Sequence, residues 1–153
     1  MGLVHTCYRI TEVDRSVAFY EALGFREMRR MPIREEAINV FMGLPEDGDE
    51  PRLELTFNFG RTEPYELGTG YGHIAITTPE LDAALERLAG QGIEPERPPY
   101  TVREGGSRLC FVRDPAGSRS SSARSCSAGP LLHRPARFQR GLGRRPAARP
   151  ELS

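Results

Sequence analysis

Apolar and polar residues alternate strictly along Arg52–Phe59, RLELTFNF. Leu53, Leu55 and Phe57 fall on one face and Glu54, Thr56 and Asn58 on the other. A period of two marks a strand with one buried face. His5–Ile10 alternates in the same way. Between these segments the period lengthens. Val17, Ala18, Tyr20 and Leu23 recur at helical spacing between Asp14 and Gly24, which predicts a helix capped by Asp14 and ended by Gly24. Phe25–Met31 and Ala37–Met42 read as strands, and Pro45–Pro51 as an acidic, glycine-containing turn. The order is βαβββ.

The pattern then recurs. Residues 5–25, HTCYRITEVDRSVAFYEALGF, align without a gap on residues 73–93, HIAITTPELDAALERLAGQGI. His5 falls on His73, Glu12 on Glu80, Asp14 on Asp82, Gly24 on Gly92 and Phe25 on Ile93. Two copies at an offset of 68 residues are too few and too long for a solenoid, so the repeat reads as a duplicated half-domain. The second copy predicts a strand at 73–77, a helix at about 80–90 behind Thr78, strands at Glu94–Tyr100 and Arg108–Val112, and a turn at Asp114–Gly117.

The eighth strand is due next, and the composition changes instead. Ser, Arg, Ala, Pro and Gly supply 27 of the 36 residues from Ser118 to Ser153. The formal charge of zero conceals the join. Residues 1–117 carry 13 Arg against 20 acids, a net of −7, and residues 118–153 carry 8 Arg against one acid, a net of +7. The expectation is a domain over 1–117, with module one at about 1–60 and an incomplete module two at about 72–117. A disordered tail over 118–153 replaces the last strand. With 21 Arg and no Lys, the gene reads as GC-rich, and a one-nucleotide shift can turn Ser120-Ser121-Ser122 into Ile-Glu-Leu. The tail therefore reads as a frameshift just after Arg119. The rival reading is an ordinary basic tail making only nonspecific contacts with nucleic acid or anionic surfaces.

Three cysteines without CxxC spacing point to a reduced, cytoplasmic setting, and no apolar run is long enough to span a membrane. Cys7 and Cys110 read as packed thiols, and His133 in the tail as solvent-exposed. Gly68-Thr-Gly70-Tyr-Gly72 precedes a strand instead of opening a helix, which argues against a nucleotide loop. Arg103-Glu-Gly-Gly106 fits either a mobile loop over a substrate or a plain hairpin turn.

His5 and His73 hold equivalent first-strand positions, and Glu54 lies 49 residues after His5. The same offset from His73 reaches residue 122, within one residue of the glutamate in the shifted frame. Two imidazoles and two carboxylates on symmetry-related strands make a nitrogen and oxygen site for a divalent metal. The segments LVHTCYRITEVDRSVAFYEALGF, LELTFNFG, YELGTGYGHIAI and FVRDPAG resemble lactoylglutathione lyase (glyoxalase I), of the vicinal-oxygen-chelate superfamily. The resemblance covers residues 1–117 and implies an α+β fold of two βαβββ modules with curved sheets. It implies metal ligation by His5, Glu54 and His73, with Arg9 and Asn58, beside His73, on the substrate side recognising glutathione.

The short link from Phe59 to Gly72 resembles the nickel or cobalt type, with zinc the remaining choice. The resemblance further implies a cytoplasmic homodimer that isomerises the methylglyoxal–glutathione hemithioacetal to S-lactoylglutathione. The family base, a carboxylate, would fall near Ser121, and a serine hydroxyl is not basic near neutral pH. Two rivals remain: another metalloenzyme of the superfamily, such as a thiol transferase or dioxygenase, and a catalytically inactive binding protein or frameshifted product.

Overall fold

The computed structural model describes residues 2–115 and, as backbone, Ser122–Ser125. The N-terminal module runs β1 (Thr6–Ile10), α1 (Val13–Ala22), β2 (Arg26–Ile33), β3 (Ala37–Gly43) and β4 (Leu53–Asn58). The second module runs β5 (Ala75–Thr78), α2 (Leu81–Ala89), β6 (Tyr100–Thr101), β7 (Arg108–Phe111) and β8 (Ser122–Ser125). The first sheet has the order β1-β4-β3-β2 and the second β5-β8-β7-β6, so the duplication is complete in topology.

The predicted fold class of two βαβββ modules stands, with one correction. The composition after Ser118 predicted that the last strand is lost, and the structure has it. β8 lies between β5 and β7, parallel to the first and antiparallel to the second. A central strand is held by backbone hydrogen bonds to both neighbours, which small polar side chains do not prevent. The second sheet therefore extends past the boundary expected at residue 117. The tail beyond Ser125, with Cys126 and His133 in it, lies outside the described residues, as do residues 116–121 with Ser121.

Two further boundaries differ. The Glu94–Tyr100 strand shrinks to Tyr100–Thr101, because Pro95, Pro98 and Pro99 donate no ladder hydrogen bonds. Helix α1 begins one residue before Asp14, with Glu12 at the N-cap position. Asp14 sits in the first turn, where the free N–H groups favour a carboxylate. The helix ends as predicted. Gly24 adopts φ +101° and Gly92, its counterpart after α2, φ +72°. Phe25 N donates to Tyr20 O at 3.0 Å, and Ile93 N donates to Leu88 O at 2.9 Å, so the same helix stop is built twice.

One core serves both modules. Tyr8, Ile10, Val40, Met42, Leu53 and Leu55 cover the inner face of the first sheet and join Ile76, Leu88 and Val112 of the second module in a single apolar cluster. The helices stand between the sheets and are laced together. Arg87 Nε donates to Ala22 O at 3.1 Å, and Gln91 Nε2 to Ala18 O at 3.3 Å. Since both inner faces meet this core, the opposite faces of the two sheets look away from it. Among the described residues no helix is long and apolar enough to cross a membrane.

Candidate active site

The outward face of the first sheet is polar because the alternation of β4 leaves it so. Register sets Cys7 of β1 beside Glu54 of β4, Glu54 beside Phe41 of β3, and Phe41 beside Arg29 of β2. The next row on this face is Arg9, Thr56, Asn39 and Met31. His5 precedes β1 and comes to the same place. Its Nε2 lies 3.0 Å from Glu54 Oε2, with side chains 33% and 12% exposed.

The two oxygens of Glu54 are used differently. Oε2 faces His5. Oε1 accepts hydrogen bonds from Asn39 Nδ2 at 3.0 Å, from Thr56 Oγ1 at 3.1 Å and from the Cys7 thiol at 3.6 Å. Cys7 is exposed on this face instead of packed, and its Sγ also lies 3.3 Å from Thr56 Oγ1. Partial burial pushes the Cys7 thiol above its ordinary value, and the neighbouring Glu54 carboxylate pushes the same way. The thiol is accordingly protonated and a weak nucleophile at neutral pH.

Imidazole and carboxylate are suitable donors for a divalent ion, and their spacing fits. Two bonds of about 2.1 Å meeting near a right angle leave about 3.0 Å between donor atoms, the separation of His5 Nε2 and Glu54 Oε2. Among the described residues no three His, Cys, Asp or Glu side chains gather to hold an ion.

Farther along β1 and β4 lies a second polar group. Arg9 Nη1 donates to Asn58 Oδ1 at 3.0 Å, and the Tyr65 hydroxyl donates to the same oxygen at 3.2 Å. Arg61 stacks on the Tyr65 ring at 4.7 Å, and Arg9 lies 5.9 Å from its centroid. A cleft of about 430 Å³ runs beside them, lined by Cys7, Arg9, Tyr65 and Tyr71. A guanidinium lining such a cleft is able to pair with a carboxylate.

His73 stands on the other sheet, exposed, ahead of β5. Its ring meets Phe111 edge-on at 5.2 Å, as His5 meets Phe41 at 6.0 Å. The register repeats as well. Ser122 lies between Ala75 and Phe111, where Glu54 lies between Cys7 and Phe41. Ser122, rather than Ser121, thus holds the position of Glu54 in the second module.

The structure brings His5, Glu54, Arg9 and Asn58 to one sheet face; sequence reasoning passed over Asn39 and Tyr65 and read Cys7 as packed, where it is exposed. Asn39 left a visible signal, being the single polar residue in the apolar run AINVFM. Cys110, expected in the core, is fully buried, against Leu81 in a small cluster of the second module.

Residues 2–120 match the profile of the glyoxalase/bleomycin resistance protein/dioxygenase superfamily. The chain is 37% identical over 116 residues to a lactoylglutathione lyase of Arabidopsis thaliana, covering 74% of this chain and 41% of that protein. It is 34% identical over 131 residues to the lactoylglutathione lyase of Salmonella typhimurium, covering 84% of this chain and 96% of that one. Glyoxalase I from Zea mays superposes with a TM-score of 0.73 at 29% identity, over 84% of this chain and 46% of the maize chain. The chain spans less than half the length of the plant relatives that it matches.

Proposed function

The chain belongs to the glyoxalase/bleomycin resistance protein/dioxygenase superfamily, and we propose that it is built for the lactoylglutathione lyase reaction, the isomerisation of the methylglyoxal–glutathione hemithioacetal to S-lactoylglutathione. The observation that carries this reading is the Glu54–His5 pair on an open sheet face, with Arg9 and Asn58 four residues further along the same strands. Relatives named for this activity support it.

Arg9 and Asn58 bind a glutathione carboxylate and orient the thiol end toward His5 and Glu54. His5 and Glu54, with His73 from another module, would hold a divalent ion, nickel or cobalt ahead of zinc. When bound, the ion supplies positive charge against the oxygen that gains electrons as the proton leaves the neighbouring carbon. A carboxylate must carry that proton to the adjacent carbon. Glu54 is the carboxylate of the first module, and Ser122 brings none from the second. Because the open faces look away from each other, a face from a second copy completes the site, and the working form is a cytoplasmic homodimer. The domain runs through β8, which ends at Ser125.

The serine at residue 122 favours a second reading, a chain that binds metal and glutathione adduct with little turnover. The test is S-lactoylglutathione formation by the full chain, followed by its ultraviolet absorbance, with added Ni²⁺, Co²⁺ or Zn²⁺. Metal-stimulated product formation supports the lyase. Binding of S-hexylglutathione without product supports the second reading. Neither binding nor product overturns both.

A further inference from the structure

Asn39 is anomalous by any packing argument. It sits in the apolar strand AINVFM, half-buried, with its Nδ2 on Glu54 Oε1. A carboxylate only accepts, so the amide must turn its NH₂ toward Glu54. That choice leaves Asn39 Oδ1 buried with no hydrogen-bond partner. A leucine would remove this cost. The protein makes that comparison itself. In the second module the register position of Asn39 is Leu109, that of Cys7 is Ala75 and that of Glu54 is Ser122. Where the carboxylate is missing, the counterparts of Asn39 and Cys7 are apolar, while Arg124 takes the position of Thr56.

We infer that Asn39, seconded by Thr56, is a positioning residue that fixes the Glu54 carboxylate with Oε2 turned to His5, so that the two donors present themselves to one ion. The geometry carries this. Three donors converge on Oε1 and leave Oε2 to His5. Hydrogen bonds of this kind behind a ligand orient it and raise its affinity for the metal. The inference rests on the metal reading proposed above, and the experiment separates the two.

The full chain is titrated with Ni²⁺ by calorimetry and with Co²⁺ by its visible spectrum, beside the variants Asn39→Leu, Thr56→Val and Glu54→Gln, each with a thermal melt. Asn39→Leu is expected to weaken metal binding by about 10- to 100-fold while its melting midpoint stays level or rises, because a buried unpaired acceptor is removed. Thr56→Val, nearly isosteric, is expected to weaken binding in the same direction, and both variants should alter the Co²⁺ spectrum. Unchanged affinity in Asn39→Leu overturns the inference. A fall in its midpoint together with normal binding by Thr56→Val assigns Asn39 to packing and also overturns it. Failure of the unsubstituted chain to bind either ion, or equal binding by Glu54→Gln, removes the metal reading and this inference with it.

Discussion

Glu54 and Ser122 hold the same register position in two sheets built on one plan. Glu54 lies between Cys7 and Phe41, and Ser122 between Ala75 and Phe111. The modules differ in the chemistry of this position. A carboxylate can ligate a cation and carry a proton, and a serine hydroxyl near neutral pH does neither well.

Ser122→Glu is therefore expected to raise turnover of the methylglyoxal–glutathione adduct. General acid–base groups contribute about 10²- to 10⁴-fold, and the gain should fall in kcat with metal affinity rising beside it. Steady-state kinetics of the metal-loaded full chain measures both. A variant no faster than its parent would place the missing base elsewhere.

Arg9→Leu removes the guanidinium that donates to Asn58 at 3.0 Å and leaves the Tyr65 contact to the same oxygen in place. A hydrogen bond to a charged group is worth about 1.5–3 kcal/mol. The variant should raise KM for the glutathione adduct by about 10- to 100-fold, leave kcat nearly constant and bind Ni²⁺ as before. An unchanged KM with S-hexylglutathione still bound would remove Arg9 from the substrate cleft.

Leu88 of α2 is fully buried in the cluster that also contains Tyr8, Ile10 and Leu55 of the first module. Leu88→Ala should cost about 2–5 kcal/mol. Because the core is shared, both modules should melt in one shifted transition. Calorimetry resolving two transitions would contradict a common core.

Stability should fall in alkali. Burial holds the Tyr20 phenol well above its ordinary value of 10.0, and the Asp114 carboxylate pushes the same way. The unfolded phenol ionises near pH 10 and the folded one higher, so the neutral group favours the fold below pH 10. That contribution is lost as pH rises above 10. Tyr20→Phe should flatten the alkaline limb of a midpoint-against-pH curve and leave the slope between pH 6 and pH 9 unaltered. An equally steep alkaline limb in Tyr20→Phe would assign the loss to other groups.

Much of this was legible in the chain. The period of two in RLELTFNF set Glu54 and Asn58 on one face, and the repeat of His5 at His73 carried the topology as far as β7. Local pattern failed where tertiary pairing decides. The composition of SSARS gives no sign of a strand, yet β5 and β7 leave a slot between them that backbone hydrogen bonds fill. Asn39 was missed for the opposite reason. Its partner Glu54 is 15 residues away on a neighbouring strand, and only the antiparallel register brings them together.

The helices lock the modules back to back, and this has a consequence for growth of the molecule. On the reading proposed above, a unit whose ligand-bearing faces both turn away from its core is not finished by its own folding and keeps an unmet valence at each face. A second polypeptide can fill that valence, or a further pair of modules on the same one. Changing how many units are joined would then leave the faces themselves untouched.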